Sequence, residues 1–190
     1  EDPRRQRQMC IRDRSISKIT KNLKNQSDIF PPVHLWNPEL CEGQEFYIDR
    51  EGNWFYNDSP IKNYKLTKLF STVLRKDDDE YFLVTPVEKV PVRVELAPYK
   101  IIDYSLTDDR VSLLTNFDYE FVLSKTNTTK LIKNKDAFIP IVNVRNNLDG
   151  FFDRNTYYNL INYALEQNFI DQNLLYLPSL KIKHTIGKIA

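Results

Sequence analysis

The sequence predicts an α+β fold with a duplicated strand-helix-strand core in two halves. Each half contains one apolar stripe at helical spacing, and each stripe is followed by two segments of alternating apolar residues. The stripes predict helices over 63–75 and 155–167, and an offset of 91 residues superimposes them, so we interpret the halves as an internal duplication. The stripe residues are Leu66, Leu69, Phe70, Val73 and Leu74 in the first half, and Tyr157, Tyr158, Ile161, Ala164 and Leu165 in the second.

Alternation with a period of two predicts the strands of both halves. In the first half a hairpin around Glu51-Gly52 precedes the helix, and Ser59-Pro60 supplies a cap and a first-turn proline. In the second half a turn at 148–150 precedes the helix, and Asn155 is its candidate N-cap. The predicted strands are 45–49, 53–56, 81–86, 90–95, 100–104, 112–114, 119–124, 130–133, 139–145, 174–177 and 181–186.

Residues 1–14 differ in character from the rest of the chain. The run from Arg4 to Arg14 matches an in-frame translation of the adaptor and mosaic end of transposase-based sequencing libraries. We interpret residues 1–14 as adaptor-derived and not native; the alternative is a basic nucleic-acid-binding arm or a targeting peptide. The native organisation is then an amphipathic helix over 15–25 and a first half, together spanning 15–98, and a second half spanning 99–190.

The composition excludes several classes of protein. With residues 1–14 set aside the net charge is −1, so nucleic acid and anionic membranes are not expected as partners. No apolar run reaches the roughly 18 residues needed to span a bilayer. Cys41 then stands as a single thiol, which fits a reducing cytoplasm and excludes an internal disulfide.

The first half holds most of the aromatic and proline residues that are candidates for a binding surface. Trp36-Asn37-Pro38 could present an indole face and an amide, and Trp54 lies in a strand; for both the alternative is packing. The segment Thr85-Pro86-Val87-Glu88-Lys89 places a proline between two strands, which predicts a sheet edge or bulge with free backbone groups. Thr85, Glu88 and Lys89 could bind a polar ligand there, or form a solvated loop.

Two arginines of the second half are candidates for anion binding. Arg145 and Arg154 flank a turn that leads into the second helix, where guanidinium groups and helix-end amides would hold a phosphate or carboxylate. The alternative is a salt bridge from either arginine to Asp149 or Asp153.

Signals for catalysis are weak, so an enzyme is the least favoured class. His34 and His184 are the only histidines, and neither adjoins a nucleophile pattern. A pairing of Cys41 with His34 is less favoured than an incidental thiol. The sequence shows no metal-ligand cluster, phosphate-binding loop or dinucleotide turn, so no catalytic residue, metal or cofactor is assigned.

These segments together resemble the bacterial family of domain of unknown function 1285. The similarity runs from Pro31 to the end of the chain, through Trp36-Asn37-Pro38, Pro60-Ile61, 83–89 and 144–160. The resemblance implies an α+β fold with a C-terminal half similar to a pleckstrin-homology barrel. It also implies a pocket between the halves for a nucleotide-like ligand, and a signalling role. The chain departs from the family pattern at Asn57-Asp58, Asn63 and Gly150.

The sequence therefore favours a cytoplasmic binding and signalling module that holds a nucleotide-like or other anionic small molecule. The candidate ligand residues are Trp36, Asn37, Trp54, Thr85, Glu88, Lys89, Arg145 and Arg154. The second hypothesis is an adaptor that binds a segment of a partner protein on a free sheet edge.

Overall fold

The structure is a computed structural model that describes residues 30–189. The chain divides into two compact units, one ending at Glu95 and the other beginning at Leu96. The predictions for residues 1–14 and 15–25 lie outside the described residues.

The first unit is a six-stranded sheet with one α-helix. Its strands lie in the order β3-β2-β1-β6-β5-β4, with β1 and β6 parallel and every other neighbouring pair antiparallel. Its elements are a short 3-10 helix Val33–Leu35, β1 Phe46–Ile48, β2 Trp54–Tyr56, β3 Ser59–Pro60, α1 Tyr64–Thr72, β4 Leu74–Asp77, β5 Glu80–Val84 and β6 Lys89–Val94.

Aromatic packing between the sheet and α1 forms the core of the first unit. Phe70 of α1 lies with its ring centroid 5.2 Å from that of Phe46 and 6.2 Å from that of Trp54. Phe46, Ile48 and Trp54 are all buried, while Tyr47 between them is only half-buried. The alternation predicted for these strands therefore separates an apolar face, covered by α1, from an outer face.

Two local predictions in the first unit are wrong. Ser59-Pro60 forms β3 and does not start the helix; Asn63 is the N-cap, and its side chain accepts a hydrogen bond from Leu66 N. The helix ends at Thr72 rather than at residue 75, because β4 begins at Leu74. β4 pairs with β5 in an antiparallel register, and this tertiary pairing overrides the helical stripe.

Asn57 and Asp58 form the turn between β2 and β3. Their φ angles are 43° and 65°, the left-handed conformation that a two-residue type I′ turn requires at both positions. Asn and Asp tolerate this conformation better than other non-glycine residues. Asn57 Oδ1 also accepts a hydrogen bond from Glu45 N at 3.2 Å, so the turn accommodates the Asn57-Asp58 pair at which the chain departs from the family pattern.

The second unit contains another six-stranded sheet, a longer helix and a three-stranded sheet. The large sheet has the order β10-β11-β12-β7-β8-β9, and the small one has the order β13-β14-β15. The elements are β7 Tyr99–Leu106, β8 Val111–Thr115, β9 Glu120–Val122, β10 Thr129–Asn134, β11 Ala137–Arg145, β12 Leu148–Phe152, α2 Arg154–Glu166, β13 Ile170–Asp171, β14 Leu174–Ser179 and β15 Ile182–Lys188.

The two large sheets share one topology. Counted from the first strand of its own unit, each sheet has the order 3-2-1-6-5-4, and in each the first and sixth strands are parallel. The helices do not follow this correspondence, because α1 lies between the third and fourth strands and α2 follows the sixth. The two similar halves are consistent with duplication, but the shared element is the sheet and not a strand-helix-strand unit offset by 91 residues.

The barrel implied for the C-terminal half is not confirmed. Among the described residues β9 and β10 are the outer strands of the large sheet and do not pair with each other, so the sheet does not close. Residues 148–150, predicted as a turn, belong to β12. The predicted N-cap is also displaced by two positions, since Asp153 caps α2 and accepts a hydrogen bond from Asn155 N.

Candidate functional site

A network of charged side chains connects two predicted ligand residues of the first unit, Trp36 and Lys89. Arg75, on β4, donates from Nη1 to the carbonyl oxygens of Val33 and Trp36 at 2.8 and 2.6 Å. Its Nε and Nη2 donate to the two carboxylate oxygens of Asp77, both at 2.8 Å. Lys89 Nζ lies 2.9 Å from the same carboxylate. Trp36 and Lys89, which are 53 positions apart in the chain, are thereby attached to one carboxylate-guanidinium pair.

The charge pattern of this network affects the titration of Asp77. The hydrogen bond from Arg75, supported by Lys89 and opposed by partial burial, lowers the pKa of the Asp77 carboxyl below its ordinary value. Lys89 Nζ also lies 4.0 Å from the centroid of the Phe82 ring, a cation–π contact. The network therefore extends from the turn at Trp36 to the ring of Phe82 on β5.

Thr85 to Lys89 forms a tight turn rather than a free edge. Thr85 N donates to the Glu88 carbonyl, and Thr85 Oγ1 accepts from the backbone N–H groups of Val87 and Glu88. The turn joins β5 and β6, which are both interior strands of the sheet. The prediction of a sheet edge at this proline is wrong, because both strands are interior. The N–H groups of Thr85, Val87 and Glu88 are paired within the turn, and Lys89 N donates to the Glu39 carbonyl.

The remaining predicted residues of the first unit separate into exposed and buried positions. Asn37 is exposed and Trp36 is half-buried, so both can contact a ligand. Trp54 is only 3% exposed and stacks on Phe70 in the core. Its indole contributes packing, and a direct ligand contact from it would require the core to open.

An open groove of about 720 Å³ lies on the sheet of the first unit. Its walls come from the segment before β1, the turn into β5, and the strands β5 and β6. The lining includes two half-buried or buried rings, three carboxylates, two side-chain amides and one arginine: Tyr81 and Phe82; Glu45, Asp79 and Glu80; Gln44 and Asn57; and Arg93. The volume is within the range of small-molecule sites, which is about 300–1,000 Å³.

The charges of the groove are unequally paired. Arg93 Nε donates to Glu45 Oε1 at 2.8 Å, and its guanidinium lies 4.1 Å from the centroid of the Tyr47 ring. Within residues 30–189 the carboxylates of Asp79 and Glu80 form no ion pair. The groove therefore offers one arginine that is partly neutralised by Glu45, and two carboxylates that remain available as hydrogen-bond acceptors.

The predicted anion-binding arginines of the second unit differ in exposure. Arg145 is 7% exposed, and its Nε donates to Tyr99 Oη at 2.9 Å. Arg154 is exposed at the first residue of α2, with its guanidinium 5.6 Å from the Tyr158 ring. The acids considered as their salt-bridge partners are bound by lysines: Asp149 by Lys130 at 2.8 Å and Asp153 by Lys100 at 3.1 Å.

Arg145 and Arg154 also lie near opposite ends of β12. Arg145 pairs with Leu148 at the beginning of that strand, and Arg154 follows its end at Phe152. At about 3.3 Å per residue, Leu148 and Phe152 lie roughly 13 Å apart. In addition the Asp153 side chain caps the first turn of α2 with a negative charge, which disfavours a bound anion there.

The sequence prediction missed two residues of the network and several of the groove: Arg75 and Asp77; Glu45, Asp79, Glu80, Tyr81 and Arg93. The predicted helix over 63–75 ends at Arg75 and leaves Asp77 outside any predicted element, yet their spacing of two places both residues on one face of β4. The pair would have been found by predicting a strand, instead of a helix end, at these two residues. For Glu45 and Arg93 no sequence signal existed, because they are 48 positions apart and meet through the parallel pairing of β1 and β6.

The groups considered for catalysis differ in burial and in the unit to which they belong. His34 is exposed in the first unit, whereas His184 is buried in the second, and Cys41 is buried. In the part of the chain that the structure describes, no three His, Cys, Asp or Glu side chains cluster to hold a metal. No helix of residues 30–189 is long and apolar enough to cross a membrane.

Two solved structures are similar to this chain. One is a DUF1285 family protein from Silicibacter pomeroyi DSS-3, with a TM-score of 0.78 and 28% identity over 90% of this chain and 95% of that one. The other is a DUF1285 family protein from Shewanella baltica OS155, with a TM-score of 0.51 and 32% identity over 62% of this chain and 90% of that one. Among curated proteins none matches.

Family models match both units. The DUF1285 N-terminal domain, a domain of unknown function, matches residues 31–97, and the DUF1285 C-terminal domain matches residues 98–186. The boundary between them is within three residues of the division between the compact units. The chain therefore belongs to the DUF1285 family.

Proposed function

We propose that this protein is a small-molecule-binding module and that the groove of the first unit holds its ligand. The observation that supports this proposal is the groove itself, since it combines a volume of about 720 Å³ with the rings of Tyr81 and Phe82 and with six polar or charged side chains. The volume is typical of small-molecule sites, and the polar lining favours a ligand with many hydrogen-bonding groups.

The lining indicates how a nucleotide-like ligand would be bound. Asp79 and Glu80 can accept hydrogen bonds from ribose hydroxyls or base amino groups, and Tyr81 offers ring surface. Arg93 is the arginine of the lining that could contact an anionic group, but Glu45 already neutralises part of its charge. A ligand with one phosphate is therefore favoured over a polyphosphate, which the three carboxylates would repel.

The proposal is tested by thermal unfolding with adenosine, AMP, ATP and, as a cationic control, spermidine. A ligand at about 100 times its dissociation constant adds roughly 2.7 kcal/mol, which raises the melting temperature by about 5–10 °C. We expect AMP to give the largest shift and Arg93→Ala to abolish most of it. Asp79→Asn with Glu80→Gln should reduce the adenosine shift, whereas the matched pair Asp136→Asn with Glu166→Gln, exposed in the second unit, should not.

Substitutions in the second unit test the alternative that Arg145 or Arg154 binds the anionic group. Arg145→Ala and Arg154→Ala should leave the AMP shift unchanged if the groove is the site. If either substitution abolishes the shift while the unliganded melting temperature is retained, the anionic group is bound by the second unit, as the sequence predicted. Absence of a shift with every member of the panel would contradict the nucleotide-like assignment.

A further inference from the structure

A half-buried network of charged side chains holds the turn that carries Trp36. The turn Val33–Trp36 is joined to β4 by two hydrogen bonds from a single nitrogen, Arg75 Nη1, to the carbonyl oxygens of its first and last residues. The side chain of Arg75 is 15% exposed. Hydrogen bonds from a partly buried guanidinium to carbonyl groups are stronger than neutral ones, so this contact defines the position of the turn.

Asp77 and Lys89 hold Arg75 in the required orientation. The two oxygens of Asp77 receive Nε and Nη2 of Arg75, a bidentate geometry that fixes the plane of the guanidinium and directs Nη1 towards the turn. Lys89 binds the same carboxylate and lies over the Phe82 ring, which lines the groove. The turn and the groove wall are thus connected through three charged side chains.

We propose that Arg75 is a positioning residue. Held by its bidentate hydrogen bonds to Asp77, it fixes the turn Val33–Trp36 and so sets the orientation of the half-buried Trp36 indole. The function assigned to Arg75 is geometric, so it requires the planar guanidinium and not only a positive charge. A lysine at this position could bind Asp77 or the carbonyl oxygens of the turn. It cannot donate two parallel hydrogen bonds to the carboxylate and also donate to the turn. This inference does not depend on the identity of any ligand.

Tryptophan fluorescence tests the proposal directly, because the chain has only two tryptophans, Trp36 and Trp54. In a Trp54→Phe background the emission reports Trp36 alone. If Trp54→Phe does not fold, the difference between the spectra of the parent chain and Trp36→Phe gives the same signal. We expect Arg75→Lys to shift the Trp36 emission to longer wavelength and to increase acrylamide quenching about twofold, as the turn loses its anchor.

Two further variants separate positioning from general destabilisation. Asp77→Asn removes the charge that orients Arg75 and should reproduce the red shift. Arg110→Lys is the matched control, since Arg110 also binds a carboxylate, that of Asp109, but lies in the second unit. Unchanged Trp36 emission and quenching in Arg75→Lys would overturn the proposal, and so would an equal change in Arg110→Lys.

Discussion

Ser179 connects the three-stranded sheet to the large sheet of the second unit, and its removal should be costly. Its Oγ donates to the Leu123 carbonyl at 2.7 Å and accepts from Val111 N at 3.0 Å. Ser179 is 1% exposed, and Leu123 and Val111 are equally inaccessible to water, at 0% and 3%. Ser179→Ala therefore leaves a buried donor and a buried acceptor without their hydroxyl partner.

The magnitude follows from the number of groups left unsatisfied. An unsatisfied buried polar group costs about 1–3 kcal/mol, and a carbonyl is at the lower end because it tolerates under-satisfaction better than an N–H. We expect a loss of about 2–4 kcal/mol in the free energy of unfolding, a large part of the 5–15 kcal/mol typical of a domain.

Urea unfolding followed by circular dichroism measures this loss. The midpoint should fall while the slope with denaturant stays unchanged, because the surface exposed on unfolding is the same. Ser105→Ala, on the exposed face of β7, is the matched control and should change stability by less than about 0.5 kcal/mol. A loss below about 1 kcal/mol for Ser179→Ala would refute the argument that these two buried groups depend on one hydroxyl.

Three further predictions concern the second unit. Burial, opposed by a hydrogen bond to the Ser179 backbone, lowers the pKa of His184 below 6.5, so the unfolded chain binds the proton more tightly than the folded one. The stability contributed by the neutral His184 should be complete above pH 6.5 and should fall as the pH decreases below that value. His184→Leu should remove this dependence, as measured by urea unfolding above and below pH 6.5. Leu180 and Lys181 have φ angles of 48° and 65°, so Leu180→Asn and Lys181→Gly should each raise stability by about 0.5–1 kcal/mol in thermal melts, and a decrease would contradict the strain assigned to this turn. Asp153→Ala should lower the free energy of unfolding by about 1–2 kcal/mol through loss of the α2 N-cap, and an unchanged urea midpoint would show that the cap contributes nothing.

The sequence determined the elements that depend on local pattern. The stripes predicted both helices, because periodicity records which face of an element is buried. Alternation predicted strands that correspond to β1, β2, β5, β6, β7, β8, β9, β10, β11, β14 and β15. The sequence also identified the family, since the resemblance depends on short runs of consecutive residues that can be seen without a structure. Asn57 and Asp58 stand out in the sequence as a departure from the family pattern. Their left-handed conformation is the physical reason why these residue types occur in this turn.

Only the tertiary structure decided how these elements combine. The parallel pairs β1–β6 and β7–β12 join residues 46 and 51 positions apart, such as Phe46 with Val92 and Tyr99 with Gly150, and no local pattern specifies such a pairing. The same pairings determine the candidate site: they bring Arg93 to Glu45, and the pairing of β4 with β5 turns a predicted helix end into the strand that places Arg75 against Asp77. Long-range hydrogen bonds and burial, which composition does not record, thus placed Trp54 in the core and Trp36 on a fixed turn.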